Sequence, residues 1–145
     1  APGQVVISGD AEAVARAVAI VKAGGEGRAI PLKVAGAFHS PLMRPACDDL
    51  RRCLEGLNFK SGAGTVVSNV TGRFHDPAHL VDTLVEQISA PVRWSQSIRF
   101  LMDRGTGPFV EMGSGRVLTG LMKRIAPEAR ACSAATRDEV RNLVI

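Results

Sequence analysis

Aromatic residues and long apolar runs are scarce in this chain of 145 residues. It has one tryptophan, no tyrosine and five phenylalanines, whereas proteins that bind single-stranded nucleic acids combine a basic groove with stacking aromatics. No apolar run approaches the ~18–20 residues that a membrane-spanning helix requires, and no secretory signal pattern opens the chain. We therefore expect neither a nucleic acid nor a membrane as a partner.

Cysteine is also scarce, and two motifs of covalent chemistry are missing. Cys47, Cys53 and Cys132 are an odd number with no C-x-x-C pair, which favours free thiols in a reducing, cytoplasmic setting. No G-x-S-x-G occurs, so the strained turn that exposes a serine nucleophile is absent. If a histidine of this chain acts as a base, its serine must come from elsewhere.

The remaining composition is that of a globular α/β protein. Hydrophobic residues make up 46%, charged residues 22%, and the mean hydropathy is +0.10, enough to bury a core. The net charge of +4 is spread along the chain, and a basic surface attracts acidic partners. The sequence opens with Ala1 and runs almost at once into an apolar segment, so we expect it to be part of a longer protein.

Apolar spacing predicts alternating strands and helices, which favours a parallel α/β architecture. Predicted strands cover 5–8, 28–34, 65–68 and 109–112, and predicted helices cover 11–24, 41–57, 77–90, 94–104 and 116–125. The last helix is expected to bury Val117, Leu118, Leu121 and Ile125.

Two loops carry candidate chemistry. His39 follows a predicted strand, a position where α/β proteins place working residues, although a structural histidine is the simpler interpretation; Ser40 is expected to cap the next helix. Gly113-Ser114-Gly115 joins a strand to a helix and could cradle an anion, but it lacks the lysine of a P-loop. A tight turn is the simpler interpretation.

A zinc site is disfavoured by the spacing of the other histidines. His75 and His79 are four residues apart, but Pro77 lies between them and no third ligand follows at a suitable distance. We expect no metal.

Five ordered stretches together resemble the C-terminal half of the malonyl-CoA:acyl carrier protein transacylases. They are Pro2–Gly9, Gly36–Met43 with its Gly-Ala-Phe-His-Ser motif, Ser68–Thr71, Gln87 with Pro91–Trp94, and Val110–Gly113 continuing to Val117-Leu118. Ser114 stands where that family usually has proline.

The resemblance implies an α/β-hydrolase-like large subdomain with a ferredoxin-like insertion. Residues 1–34 would be the later part of the small subdomain, and 35–145 the C-terminal part of the large one. The missing N-terminal half would supply the serine nucleophile, the oxyanion hole and the arginine that binds the malonyl carboxylate.

The resemblance also implies a ping-pong transfer of malonyl from CoA to the phosphopantetheine thiol of acyl carrier protein. His39 would be the acid/base, the backbone carbonyl of Gln87 would orient it, and Phe38 would line the acyl pocket. Malonyl-CoA and the carrier protein are substrates, so no cofactor is implied. The pathway could make fatty acids or polyketides.

Lys123 and Arg124, late in the last predicted helix, are candidates for docking the acidic carrier protein. Ordinary exposed charge is the alternative interpretation of both. For the chain as a whole, the alternatives are a non-catalytic module that binds carrier protein or acts as a scaffold on the same fold, and a small nucleotide-binding domain that uses the glycine turn.

Overall fold

A computed structural model describes residues 1–25, 27–60, 62 and 64–143. The helices are α1 (Ala11–Gly24), α2 (Pro45–Glu55), α3 (Leu80–Glu86), α4 (Trp94–Met102), α5 (Val117–Ile125) and α6 (Arg137–Arg141), and the strands are β1 (Phe109–Met112) and β2 (Ala131–Ala134). Short 3₁₀ turns at Pro41–Met43 and Pro77–His79 precede α2 and α3. Among the described residues, none of the helices is both long and apolar enough to cross a bilayer.

The chain divides into two compact units. Unit 1 comprises Ala1–Val5, Thr71–Arg73 and Arg93–Ile145, and unit 2 comprises Val6–Val70 and Phe74–Val92. The predicted division at residue 34 concerns the subdomains that the resemblance implies, and it stays a prediction.

Unit 1 is built on a parallel β1-α5-β2 arrangement. The register pairs Phe109 with Ala131 and Met112 with Ala134, which agrees with the predicted parallel architecture. The core beneath it consists of Ile98, Met122, Ile125 and Ala126.

The predicted inner face of α5 is partly wrong. Val117 is 69% exposed and Leu118 is 39% exposed, whereas Met122 and Ile125 are buried. The buried stripe therefore runs through the second half of the helix, and the first turn lies off it. Strand β2 and helix α6 were not predicted, because a four-residue strand of small side chains (Ala-Cys-Ser-Ala) and a five-residue helix carry little periodicity.

Apart from one isolated bridge, the regular secondary structure of unit 2 in the described residues is helical. Asp10 caps α1 by accepting a hydrogen bond from the Ala13 N–H at 3.0 Å, and Gly25 ends it in the left-handed conformation with φ of 68°. The helix predicted at 41–57 is confirmed as the 3₁₀ turn followed by α2.

Two predicted strands are absent from the described residues. Segments 5–8 and 28–34 have no ladder partner, and Ile30, Leu32 and Val34 are 61%, 61% and 66% exposed. A strand needs a neighbouring strand to satisfy its backbone, so β-branched composition alone did not produce one. Segment 65–68 contributes only an isolated antiparallel bridge between Val67 and Phe74.

Candidate active site

The His39 loop (residues 35–40) is fixed by a buried serine. Ser40 is 2% exposed; its hydroxyl donates to the Ala37 carbonyl at 2.7 Å and accepts from the Leu42 N–H at 3.3 Å. The predicted cap is confirmed. One side chain thereby closes the loop and starts the following turn.

His39 itself adopts a backbone conformation that non-glycine residues rarely use. Its φ is 62°, and its N–H donates to the Ile88 carbonyl at 2.8 Å. The ring Nδ1 lies 2.9 Å from the Gln87 carbonyl oxygen. Two contacts to consecutive residues thus hold both the backbone and the ring.

The partner of the ring determines which nitrogen carries a proton. A carbonyl oxygen can only accept, so the hydrogen bond requires a proton on Nδ1, and in the neutral ring the lone pair is on Nε2. Gln87 is the C-cap of α3, and the last carbonyls of a helix lack partners within the helix. The end of α3 therefore supplies the acceptor.

Contacts between α2 and α3 stabilise the placement of Gln87 relative to His39. Arg51 on α2 donates to Asp82 on α3 at 2.8 Å, and the half-buried Cys47 thiol lies 3.8 Å from the Val85 carbonyl. Cys47 is thereby occupied by backbone acceptors, as a structural thiol would be. The helix that follows His39 is joined directly to the helix that ends at Gln87.

Phe38 precedes His39 and is 49% exposed. Its ring lies close to Gly36, where an added Cβ would come within 3.5 Å of it. The ring is therefore held on one side by the loop and open on the other.

The glycine turn (residues 113–116) does not form an open anion cradle. The Glu111 carboxylate accepts from the Leu118 N–H at 2.9 Å and from the Thr119 N–H and hydroxyl, both at 2.7 Å. Hydrogen bonds from the Thr119 and Leu118 backbone hold the pKa of Glu111 below its ordinary value. The donors at the start of α5 are already used, which argues against the nucleotide-binding alternative.

The two docking candidates differ in their surroundings. Arg124 donates to the Gln4 side chain at 2.8 Å. Lys123 instead lies with Arg116 and Thr119 along a shallow cleft between α5 and β2, about 350 Å³ in volume. Both remain exposed in the last turn of α5.

The remaining histidines have partners of their own. His75 Nδ1 lies 2.9 Å from the Thr83 hydroxyl, and His79 Nδ1 lies 3.1 Å from the Asp76 carboxylate. In the described part of the chain, no group of three or more potential ligands is placed to hold a metal.

Comparison with known proteins identifies relatives of this chain. The chain is 46% identical over 125 residues to a malonyl CoA-acyl carrier protein transacylase of Salmonella typhimurium, covering 86% of this chain and 40% of the relative. It is 42% identical over 125 residues to that of Bacillus subtilis, covering 86% and 39%. The chain is homologous to malonyl CoA-acyl carrier protein transacylases. It spans about two fifths of the length of these curated relatives, and no protein-family model matches it.

Solved transacylase structures also match the structure of this chain. That of Xanthomonas oryzae pv. oryzae superposes with a TM-score of 0.86 at 38% identity, covering 92% of this chain and 43% of the other. A malonyl-transacylase in complex with its type II PKS acyl-carrier protein gives 0.85 at 40% identity, covering 93% and 44%. The resemblance inferred from the five stretches is confirmed, and the fold is mixed helix and strand.

Sequence reasoning missed three features of the transacylase homologue. The Glu111 clamp on α5 and the Arg51–Asp82 link join positions far apart in the chain, which periodicity cannot relate. The left-handed conformation of His39 was also missed, because no neighbouring turn residue signals it.

Proposed function

We propose that this chain is the histidine-bearing part of a malonyl-CoA:acyl carrier protein transacylase. The contact between His39 Nδ1 and the Gln87 carbonyl at 2.9 Å carries the proposal, because it leaves Nε2 as the proton acceptor of a neutral ring. The serine nucleophile would come from a segment outside these 145 residues. In this view residues 1–34 belong to a ferredoxin-like small subdomain and 35–145 to an α/β-hydrolase-like large one.

In the first half-reaction His39 acts as a general base. Nε2 takes the hydroxyl proton of the serine as its oxygen attacks the malonyl thioester carbon. The C–S bond then breaks, the proton passes from Nε2 to the CoA sulfur, and the malonyl group stays on the serine as an ester. His39 ends this half-reaction neutral.

The second half-reaction uses the same atoms in reverse order. Nε2 takes the proton of the phosphopantetheine thiol while its sulfur attacks the serine ester. The C–O bond breaks, the proton returns to the serine oxygen, and malonyl is carried as a thioester of the carrier protein. No cofactor enters either step.

Gln87 acts through His39 as a positioning residue. Its main-chain carbonyl fixes the protonated nitrogen, as a carboxylate does in hydrolase triads, without adding a charge. The open face of the Phe38 ring is proposed to line the acyl pocket and to favour malonyl over branched acyl groups.

The carrier protein is proposed to dock on α5 through Lys123 and Arg124. One solved relative is described as a complex of a transacylase with an acyl-carrier protein, which supports a partner of this kind. The pathway is proposed to be fatty acid biosynthesis, with polyketide synthesis as the alternative, in a reducing cytoplasm that suits three free cysteines.

A chimera tests the proposal. This chain replaces the matching segment of the Bacillus subtilis enzyme, and malonyl transfer from malonyl-CoA to acyl carrier protein is measured. We expect transfer in the parent chimera, a loss of about 10²–10⁴-fold in His39→Gln, and little change in the control His79→Gln.

The same chimera distinguishes the other candidate function. A non-catalytic module would bind carrier protein equally well in the parent and in His39→Gln, and neither would acylate the serine. A folded parent chimera without a malonyl-enzyme intermediate by mass spectrometry would refute the proposed acid/base role.

A further inference from the structure

An arginine-lined cleft lies in unit 1, on elements that the proposed chemistry does not use. Arg73, Arg93 and Arg99 line a cavity of about 300 Å³, within the size range of small-molecule sites. The other lining residues are Thr71, Gly72, Gln96, Phe100 and Asp103.

The local fold brings these residues together. Gln96, Arg99 and Phe100 in α4 and its C-cap Asp103 recur at three- and four-residue intervals, so they share one face along the helix. Gly72 has φ of 64°, and a Cβ there would lie 3.2 Å from the Gln96 Cβ. Both the positive φ and this close approach favour glycine at position 72, and the loop places Arg73 at the cleft.

Contacts position two of the three guanidiniums, and all three keep N–H donors available for an anion. Arg73 lies over the buried Phe100 ring at 4.7 Å from the centroid, and a stacked guanidinium keeps its in-plane N–H donors available. Arg93 donates one hydrogen bond to the Gln96 side chain at 3.2 Å. Arg99 makes no side-chain hydrogen bond or ion pair within the described ranges.

The charge of the cleft is not neutralised by the protein. Three arginines face one carboxylate, Asp103, and among the described residues no ion pair joins Asp103 to any of them. Arginines that line one cleft suit phosphate oxygens, which accept the paired donors of a guanidinium in charge-assisted hydrogen bonds.

We propose that this cleft binds the phosphate group of a small molecule. The ligand chemistry is a phosphate monoester or diphosphate, from one of two sources: the phosphates of a coenzyme A substrate, an assignment that rests on the proposed function, or a free phosphate compound. The site itself rests only on the arginine geometry.

Calorimetric titration of the 145-residue chain tests it, with inorganic pyrophosphate and adenosine 3′,5′-bisphosphate as separate probes. We expect binding that weakens with added NaCl. Arg99→Gln should weaken it about tenfold or more, because one charged hydrogen-bonding group is lost. The matched control is Arg130→Gln, an exposed arginine of the same unit outside the cleft, and should change nothing.

The results distinguish a coenzyme ligand from a free phosphate compound, and they distinguish failure of the cleft proposal from failure of the transacylase proposal. Tighter binding of the bisphosphate than of pyrophosphate supports the coenzyme source, and equal binding supports a free phosphate compound. Absence of binding by both probes, or equal weakening by Arg99→Gln and Arg130→Gln, overturns the site. Circular dichroism establishes that each variant is folded, and Arg93→Gln provides a second test should Arg99→Gln unfold. The transacylase proposal fails separately, in the transfer assay.

Discussion

The His39 loop and the glycine turn both contain residues with positive φ, but the two loops do different things with them. Both lead into a helical segment, and both contain positive φ angles: 62° at His39, against 125° at Gly113 and 94° at Gly115. Glycine adopts such angles at little steric cost, whereas a residue with a Cβ at positive φ carries of order 1–3 kcal/mol of strain. The first loop accepts strain that the second avoids.

The presence of a side chain at positive φ in only one of these loops indicates which loop orients a side chain. His39 is held in its strained conformation by hydrogen bonds to the Ile88 and Gln87 carbonyls, and the result is a ring with a defined orientation. In the glycine turn the helix donors are already taken by Glu111. One loop holds an oriented side chain, and the other closes a strand-to-helix connection.

Replacing His39 by glycine and by alanine separates the chemistry from the strain. In the chimera, both variants should lower malonyl transfer by about 10²–10⁴-fold, since both remove the proposed acid/base. Thermal unfolding should nevertheless rank His39→Gly above His39→Ala by roughly 1 kcal/mol, because glycine tolerates the left-handed conformation. Equal stability of the two variants would mean that the backbone is not strained at this position.

The same reasoning applied to the glycine turn gives the opposite expectation. Gly115→Ala should cost roughly 1–3 kcal/mol of unfolding free energy, since its φ of 94° excludes a Cβ whatever the space around it. Gly120→Ala is the matched control in the interior of α5, where nothing lies within 4 Å of the added Cβ; it should stabilise by about 0.5–1 kcal/mol. Denaturant unfolding measures both, and a neutral Gly115→Ala would contradict the strain argument.

Substitution of Phe38 tests whether its ring determines which acyl group is transferred. Phe38→Ala in the chimera should raise the ratio of methylmalonyl to malonyl transfer by about tenfold, because bulk that excludes a methyl branch is removed. Competition between the two acyl-CoA substrates measures the ratio. Unchanged selectivity would show that the open face of the ring does not meet the acyl group.

Sequence patterns predicted the parts of this molecule that depend on local chemistry. The Ser40 cap was anticipated, and it acts within three positions of itself, as Asp10 and Gly25 do at the two ends of α1. The failures depend on distant partners. Residues 28–34 have the composition of a strand but no strand beside them, and the burial of Met122 in place of Val117 follows from packing around Ile98. The contact between His39 and Gln87 spans 48 positions, so only the family resemblance suggested it.

Acid should weaken the closure of the glycine turn. The pKa of Glu111 is lower in the folded chain than its ordinary value of 4.5, so its contribution to stability is complete above about pH 4.5 and is lost as the pH falls through the folded value. The stability difference between the parent and Glu111→Gln should therefore be largest near neutral pH and shrink in acid. Unfolding curves from pH 7 to 3 measure it, with Glu128→Gln, an exposed carboxylate, as the control; a pH-independent difference would rule out the proton linkage.

The smallest expected effect comes from charge reversal at Lys123 and Arg124, which tests whether α5 is a docking surface for carrier protein. Lys123→Glu should raise the KM for carrier protein in the chimera and reduce its dependence on salt, because a rim charge acts mainly on the rate of encounter. Arg124→Glu should act in the same direction and also lose the hydrogen bond to Gln4, so its thermal stability should fall while that of Lys123→Glu stays unchanged. If neither substitution moves KM, then Lys123 and Arg124 are ordinary solvated charges, and the carrier protein does not dock through them.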